Sequence, residues 1–88
     1  MLNNIIIPYF AAEKYHLKGN DLIVFGVIWT YWTSGLRPVI SYGEFEVYTN
    51  STRQGLIKNI KHLKELGIID YIPGTDGMRN EYKLLKSE

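Results

Sequence analysis

The spacing of apolar residues predicts two principal helices. Residues 21–32 are apolar on nearly every side, which predicts a buried central helix. Their β-branched content leaves a buried strand as the alternative, although a length of about twelve residues favours the helix. In residues 52–66, apolar side chains recur at spacings of four, three and three, with Asn59 between them. This second segment is predicted to be an amphipathic helix with a core stripe of Leu56, Ile60, Leu63 and Leu66.

Capping residues indicate where the first three helices begin. Pro8 suits the first turn of a short helix that runs to about Tyr15, after a β-prone start at residues 5–7. Asn20 or Asp21 is expected to cap the central helix. Residues 37–40 are expected to be short and extended. Residues 41–44 then read Ser-Tyr-Gly-Glu, a capping box that predicts a third helix to about residue 48.

The C-terminal half predicts a helix followed by a β-hairpin. Ser51 and Gln54 form a second capping box at the start of the amphipathic helix. Gly67 is expected to end that helix in the left-handed conformation. Residues 68–72 are strand-prone, residues 73–77 have the composition of a turn, and residues 79–85 can return as a second strand. The order of elements predicts one α+β domain, mostly α, over residues 1–88.

This order of elements resembles the winged helix-turn-helix family, especially the domains at the front of plasmid and phage replication proteins. The resemblance covers roughly residues 6–85 and is strongest over residues 51–69. It implies three to four helices, a recognition helix at about 52–66 and a C-terminal hairpin wing at about 68–85. The positions that carry it are Leu56, Ile60, Leu63, Gly67, Ile68 and Ile69, with residues 38–45 ahead of them.

Charge and composition narrow the function classes. The net charge is only +1, but the positive charge concentrates along residues 53–64, opposed locally by Glu65. The chain has no cysteine, which excludes disulfides and thiol catalysis and favours a cytoplasmic location. No apolar run approaches the roughly 20 residues that span a bilayer, so no membrane partner is expected.

The recognition helix implied by the resemblance carries suitable groups for duplex DNA. At 100° per residue, Gln54, Lys58 and Lys61 point away from the core stripe, and Arg53 and Ile57 lie on one flank. Arg53 could pair with guanine, Gln54 with adenine, and Ile57 could touch a thymine methyl group. Lys58 and Lys61 suit phosphates. The DNA-contacting set is completed by Ser51 and Thr52 at the helix N-terminus and Arg79 in the wing.

The sequence offers no motif for catalysis or for a cofactor. His16 and His62 are the two histidines, and neither has a motif partner for metal binding. Glu44 is assigned to capping, whereas Glu13 and Glu46 are expected to face solvent. We therefore expect no enzyme activity, no metal and no cofactor.

An alternative function is left open by the aromatic residues. Twelve aromatic side chains exceed what one small core needs, and Trp32 or Tyr31 could lie in an exposed patch. The chain would then be a protein-interaction module that keeps the fold without binding DNA. The expected partner is therefore double-stranded DNA. A second copy of the chain, or another replication or regulatory protein, is left open as a further partner.

Overall fold

The order of helices and strands follows the sequence pattern closely. The computed structural model describes residues 2–86, so positions 1, 87 and 88 of the expected domain lie outside the described residues. Both expected classes of element are present, which confirms an α+β fold. Its elements are α1 (Tyr9–Glu13), α2 (Gly19–Thr33), β1 (Val39–Ser41), α3 (Tyr42–Thr49), α4 (Arg53–Glu65), β2 (Ile69–Pro73) and β3 (Arg79–Leu84).

The strands form one antiparallel sheet in the order β1-β3-β2. The expected hairpin is confirmed, with Tyr71 of β2 opposite Tyr82 of β3. The short extended segment predicted at residues 37–40 contributes β1, where Ile40 lies opposite Asn80. Strand β3 is therefore central, and it holds together two strands that are far apart in sequence.

The core lies between α2, α3, α4 and the inner face of the sheet. The predicted helix over residues 21–32 is confirmed in preference to the alternative of a buried strand. Phe25 and Ile28 of α2 are fully buried. The predicted stripe of α4 is buried at three of its four positions, whereas Leu66 is 43% exposed. Within residues 2–86, no helix is both long enough and apolar enough to cross a membrane.

The N-terminal segment, residues 2–8, packs against α2 at Gly26 and Thr30. The Ile6 N–H donates to Thr30 Oγ1 at 2.8 Å, and Thr30 Oγ1 donates to the carbonyl of Gly26 at 2.7 Å. The β-prone residues 5–7 do not belong to any strand of the described sheet. Pro8 is the residue before α1 and adopts an extended conformation with φ −70° and ψ 138°.

Two of the predicted helix ends are confirmed by their hydrogen bonds. The Glu44 N–H donates to Ser41 Oγ at 3.1 Å, so Ser41 caps α3 as expected. Gly67 follows α4 with φ 74°, the left-handed conformation that glycine tolerates best. The N–H groups of Gly67 and Ile68 then donate to the carbonyls of Lys64 and Leu63, which satisfies the last turn of the helix.

Two predicted caps are wrong. Helix α2 begins after Lys18, which forms no side-chain cap, and Asn20 and Asp21 lie within its first turn. Helix α4 is capped by Thr52, whose Oγ1 accepts from the Gly55 N–H at 3.1 Å, rather than by Ser51 with Gln54. Since serine and threonine are both good caps, two adjacent candidates do not fix the boundary to one residue.

Candidate nucleic-acid interface

The turn between α3 and α4 sets the direction of the helix predicted to contact DNA. Asn50 ends α3 in the left-handed conformation, with φ 51°, and its N–H donates to the Glu46 carbonyl at 2.8 Å. Ser51 Oγ lies 2.7 Å from Thr49 Oγ1, so this hydroxyl contributes to the turn instead of capping α4. Thr52 is exposed at the helix N-terminus.

A polar stripe on α4 faces solvent. Gln54, Lys58 and Lys61 are all exposed, whereas Ile57 beside them is half-buried. Among the salt bridges of residues 2–86, none involves Lys58 or Lys61. The stripe therefore presents one amide and two cations that have no carboxylate to neutralise them within the described part of the chain.

Arg53 lies beside this stripe but is engaged within the protein. Its Nε donates to Glu46 Oε2 at 2.7 Å, and Nη2 donates to Oε1 at 3.3 Å. Its guanidinium carbon is 5.2 Å from the centre of the Tyr42 ring. Hydrogen bonding across this pair lowers the pKa of Glu46 and raises that of Arg53. The expectation that Glu46 faces solvent is wrong, because the turn brings its helix against α4, where Arg53 binds its carboxylate.

Two further basic side chains of α4 lie against carboxylates of other elements. His62 Nδ1 lies 2.6 Å from Asp21 Oδ2, and Asn59 Nδ2 donates to Asp21 Oδ1 at 2.7 Å. Lys64 Nζ lies 3.5 Å from Asp70 Oδ1 and 4.8 Å from the centre of the Tyr71 ring. Asp21 thus joins α2 to α4, whereas Lys64 joins α4 to β2.

The hairpin tip is held by Asp76. Its Oδ1 accepts hydrogen bonds from the N–H groups of Met78 at 2.9 Å and Arg79 at 3.1 Å, and the bond from Met78 lowers the pKa of the carboxyl. Gly77 has φ 71°, which the tight turn requires. Arg79 is exposed and forms none of the salt bridges found in residues 2–86.

The two aromatic residues considered for an exposed patch differ in their surroundings. Trp32 is 51% exposed and lies 5.8 Å from Trp29 between ring centres. Tyr31 is half-buried, and its hydroxyl donates to Glu44 Oε2 at 2.5 Å. Burial, followed by this hydrogen bond, raises the pKa of Tyr31. The expectation of an exposed aromatic is met at Trp32 and is wrong for Tyr31.

The comparisons with protein families, curated proteins and solved structures return no match. Within residues 2–86, no group of three or more His, Asp or Glu side chains is arranged to hold a metal ion. The candidate interface therefore consists of α4, the turn before it and the hairpin.

Sequence reasoning missed Tyr42, Glu46 and Asp21. Each contacts α4 from another helix: Glu46 and Arg53 are seven residues apart but lie on either side of a turn, and Asp21 is 38 residues from Asn59. The excess of positive charge along α4 was a signal that carboxylates from neighbouring elements would face it. The sequence did not show which carboxylates these would be.

Proposed function

We propose that the chain is a winged helix-turn-helix domain that binds double-stranded DNA. The order of its elements supports this fold, because a short strand precedes the two helices of the motif and a hairpin follows them. The sheet order supports it as well, since β1 joins the edge of the C-terminal hairpin. In such a domain α4 is the recognition helix, and the hairpin of β2 and β3 is the wing.

The observation that carries the proposal is the exposed stripe of Gln54, Lys58 and Lys61. Arg53, His62 and Lys64 are paired with carboxylates, so Lys58 and Lys61 are left to attract an external anion. An amide near the start of the helix, followed by two lysines on the same face, suits a helix in the major groove. Its amide can form two hydrogen bonds with adenine while the ammonium groups bind phosphates.

The neighbouring groups extend this contact surface. Ile57 can reach a thymine methyl group, and Ser51 and Thr52 can contact a phosphate beside the helix N-terminus. Arg79 in the wing would contact the DNA backbone or the minor groove. A contact between Arg53 and guanine stays a prediction, and it requires the guanidinium to leave Glu46.

The experiment that tests the proposal is a fluorescence-anisotropy titration of a labelled random duplex at several salt concentrations. Each phosphate contact makes the slope of log K against log salt more negative by about 0.9. Contacts by Lys58, Lys61 and Arg79 would give a slope near −2.7, or about a 40-fold loss of affinity for a fourfold rise in salt. Binding that is absent at low salt, or that does not respond to salt, contradicts the proposal.

The exposure of Trp32 favours a second candidate function, a protein-interaction module. A half-exposed tryptophan is typical of the centre of protein interfaces. This alternative predicts that Trp32→Ala abolishes partner binding and that Lys61→Ala has no effect. The DNA proposal predicts that Lys61→Ala weakens duplex binding and that Trp32→Ala leaves it unchanged.

The biological setting we propose is plasmid or phage replication initiation or transcriptional regulation, in the cytoplasm. The proposal includes no catalytic step and no cofactor. A second copy of the chain, or another replication or regulatory protein, would be an additional partner. Sedimentation with and without duplex DNA would report the number of chains bound.

A further inference from the structure

Arg53 is the first residue of α4, and its side chain is directed towards α3. Its guanidinium lies against two residues one turn apart on that helix, the ring of Tyr42 and the carboxylate of Glu46. Both contacts are geometrically specific, because the fork of the guanidinium matches the carboxylate while its flat face lies over an aromatic ring. The start of α4 is therefore fixed to the first two turns of α3.

Tyr42 also contacts the hairpin through its backbone and its side chain. Its N–H donates to the Met78 carbonyl at 3.1 Å, and its hydroxyl accepts from Asn80 Nδ2 at 3.2 Å. Asn80 is buried in the central strand, and its amide also donates to the Tyr82 hydroxyl at 3.1 Å. A buried amide held by two tyrosine hydroxyls has little freedom to move.

These contacts form one continuous chain from Glu46 and Arg53 through Tyr42 to Asn80. We propose that Tyr42 is a positioning residue that holds the hairpin at a fixed place relative to the N-terminus of α4. The consequence for DNA rests on the proposed function: two elements that bind one duplex together must keep their separation. Tyr42 would determine that separation without touching the DNA.

Hydrogen exchange tests the positioning role without DNA. Tyr42→Phe removes the hydroxyl but keeps the ring beneath Arg53. Tyr48→Phe is the matched control, because it also removes a hydrogen-bonded tyrosine hydroxyl from α3. We expect Tyr42→Phe to speed exchange of the N–H at position 42, which bonds to the Met78 carbonyl of the hairpin, at least threefold relative to amides of α2. Tyr48→Phe should leave that ratio unchanged.

A double-mutant cycle in duplex binding tests the consequence for DNA. We expect Arg79→Ala to weaken binding roughly threefold to tenfold in the parent, as for a single charged contact. In the Tyr42→Phe background, Arg79→Ala should change log Kd by less than half as much as in the parent. The hairpin has then lost its fixed position, so Arg79 contributes less to binding. Lys61 lies on α4 itself, so Lys61→Ala should weaken duplex binding by the same factor in both backgrounds.

The outcomes separate this inference from the proposed function. Equal exchange ratios in Tyr42→Phe and Tyr48→Phe overturn the positioning role whether or not DNA binds. A full effect of Arg79→Ala in the Tyr42→Phe background overturns the coupling to DNA. A parent protein that does not bind duplex DNA overturns the proposed function alone, and the exchange ratio still decides the role of Tyr42.

Discussion

Gly26 and Ile7 are in such close contact that a β-carbon at Gly26 would lie 2.8 Å from Cγ1 of Ile7. The same β-carbon would be 3.3 Å from Cγ2 of Ile5. The N-terminal segment therefore packs directly on the backbone of α2, at a position where glycine leaves the necessary space. The hydrogen bond from the Ile6 N–H to Thr30 Oγ1 holds the segment there.

Gly26→Ala is expected to displace this segment and destabilise the fold by about 1–2 kcal/mol. Overpacking costs about 1–3 kcal/mol, which exceeds the roughly 0.5–1 kcal/mol that alanine gains in a helix. Gly43→Ala is the matched control, since its nearest neighbour is Ser41 Oγ at 3.9 Å, and it should be stabilising. Denaturant unfolding gives both values. Equal stability of the two variants would contradict the close packing.

Ile60→Ala is expected to cost about 2–5 kcal/mol, because this side chain is 3% exposed in the middle of the α4 stripe. Such a loss is a large part of the total stability of a small domain, which can be about 5 kcal/mol. Val47→Ala, at a side chain that is 64% exposed, should stay within about 0.5 kcal/mol of the parent. A loss below about 1 kcal/mol at Ile60 would mean that this face of α4 does not form the core.

Lys58→Ala and Lys61→Ala are expected to weaken binding to all duplexes equally, because phosphate contacts carry no sequence information. Each change should reduce the magnitude of the salt slope by about 1. Lys14→Ala provides the control, since it removes a similar exposed lysine just after α1. If the double variant keeps the parent slope in anisotropy titrations, these lysines do not bind phosphate.

Gln54→Ala is expected to reduce discrimination between DNA sequences by about 1–3 kcal/mol, with little change on random duplex. The side chain is exposed, so folding stability should be nearly unchanged. Competition titrations between a selected site and a site with one adenine replaced measure the effect. Arg53→Ala serves as the comparison, because loss of its contacts with Glu46 and Tyr42 should also alter the turn between α3 and α4. The helix does not read sequence if neither variant changes the ratio of the two affinities.

The pair of Glu46 and Arg53 should make stability depend on pH. The pKa of Glu46 is lowered from its ordinary value of 4.5, so its contribution is complete above that value and is lost as pH falls through the folded pKa. Glu46→Gln should therefore be less stable than the parent at neutral pH, with a difference that shrinks in acid. Glu65→Gln, which removes a carboxylate outside the described salt bridges, should show a smaller difference. A difference for Glu46→Gln that is constant from pH 7 to about pH 3 would rule out the ion pair as its source.

The sequence predicted the elements that depend on local pattern and missed the contacts that depend on the turns. The period of Leu56, Ile60 and Leu63 identified α4, and Ser41 and Gly67 marked helix ends through bonds within four residues. The outward direction of Lys58 and Lys61 followed from the same period. The same period placed Arg53 on one flank of the helix with Ile57, but the angle between α3 and α4 places Glu46 within its reach. No local pattern encodes such an angle.

The position of β3 at the centre of the sheet has a consequence during synthesis on the ribosome. In the described sheet, β1 and β2 each pair with β3 and not with each other. Until residues 79–84 have left the exit tunnel, both earlier strands are exposed edges that other chains could pair with. The helices can form as they emerge, whereas the sheet closes only when its last strand arrives. A released chain that ends at residue 78 should therefore be cleaved by proteases at residues 69–73, whereas the 88-residue chain should be resistant.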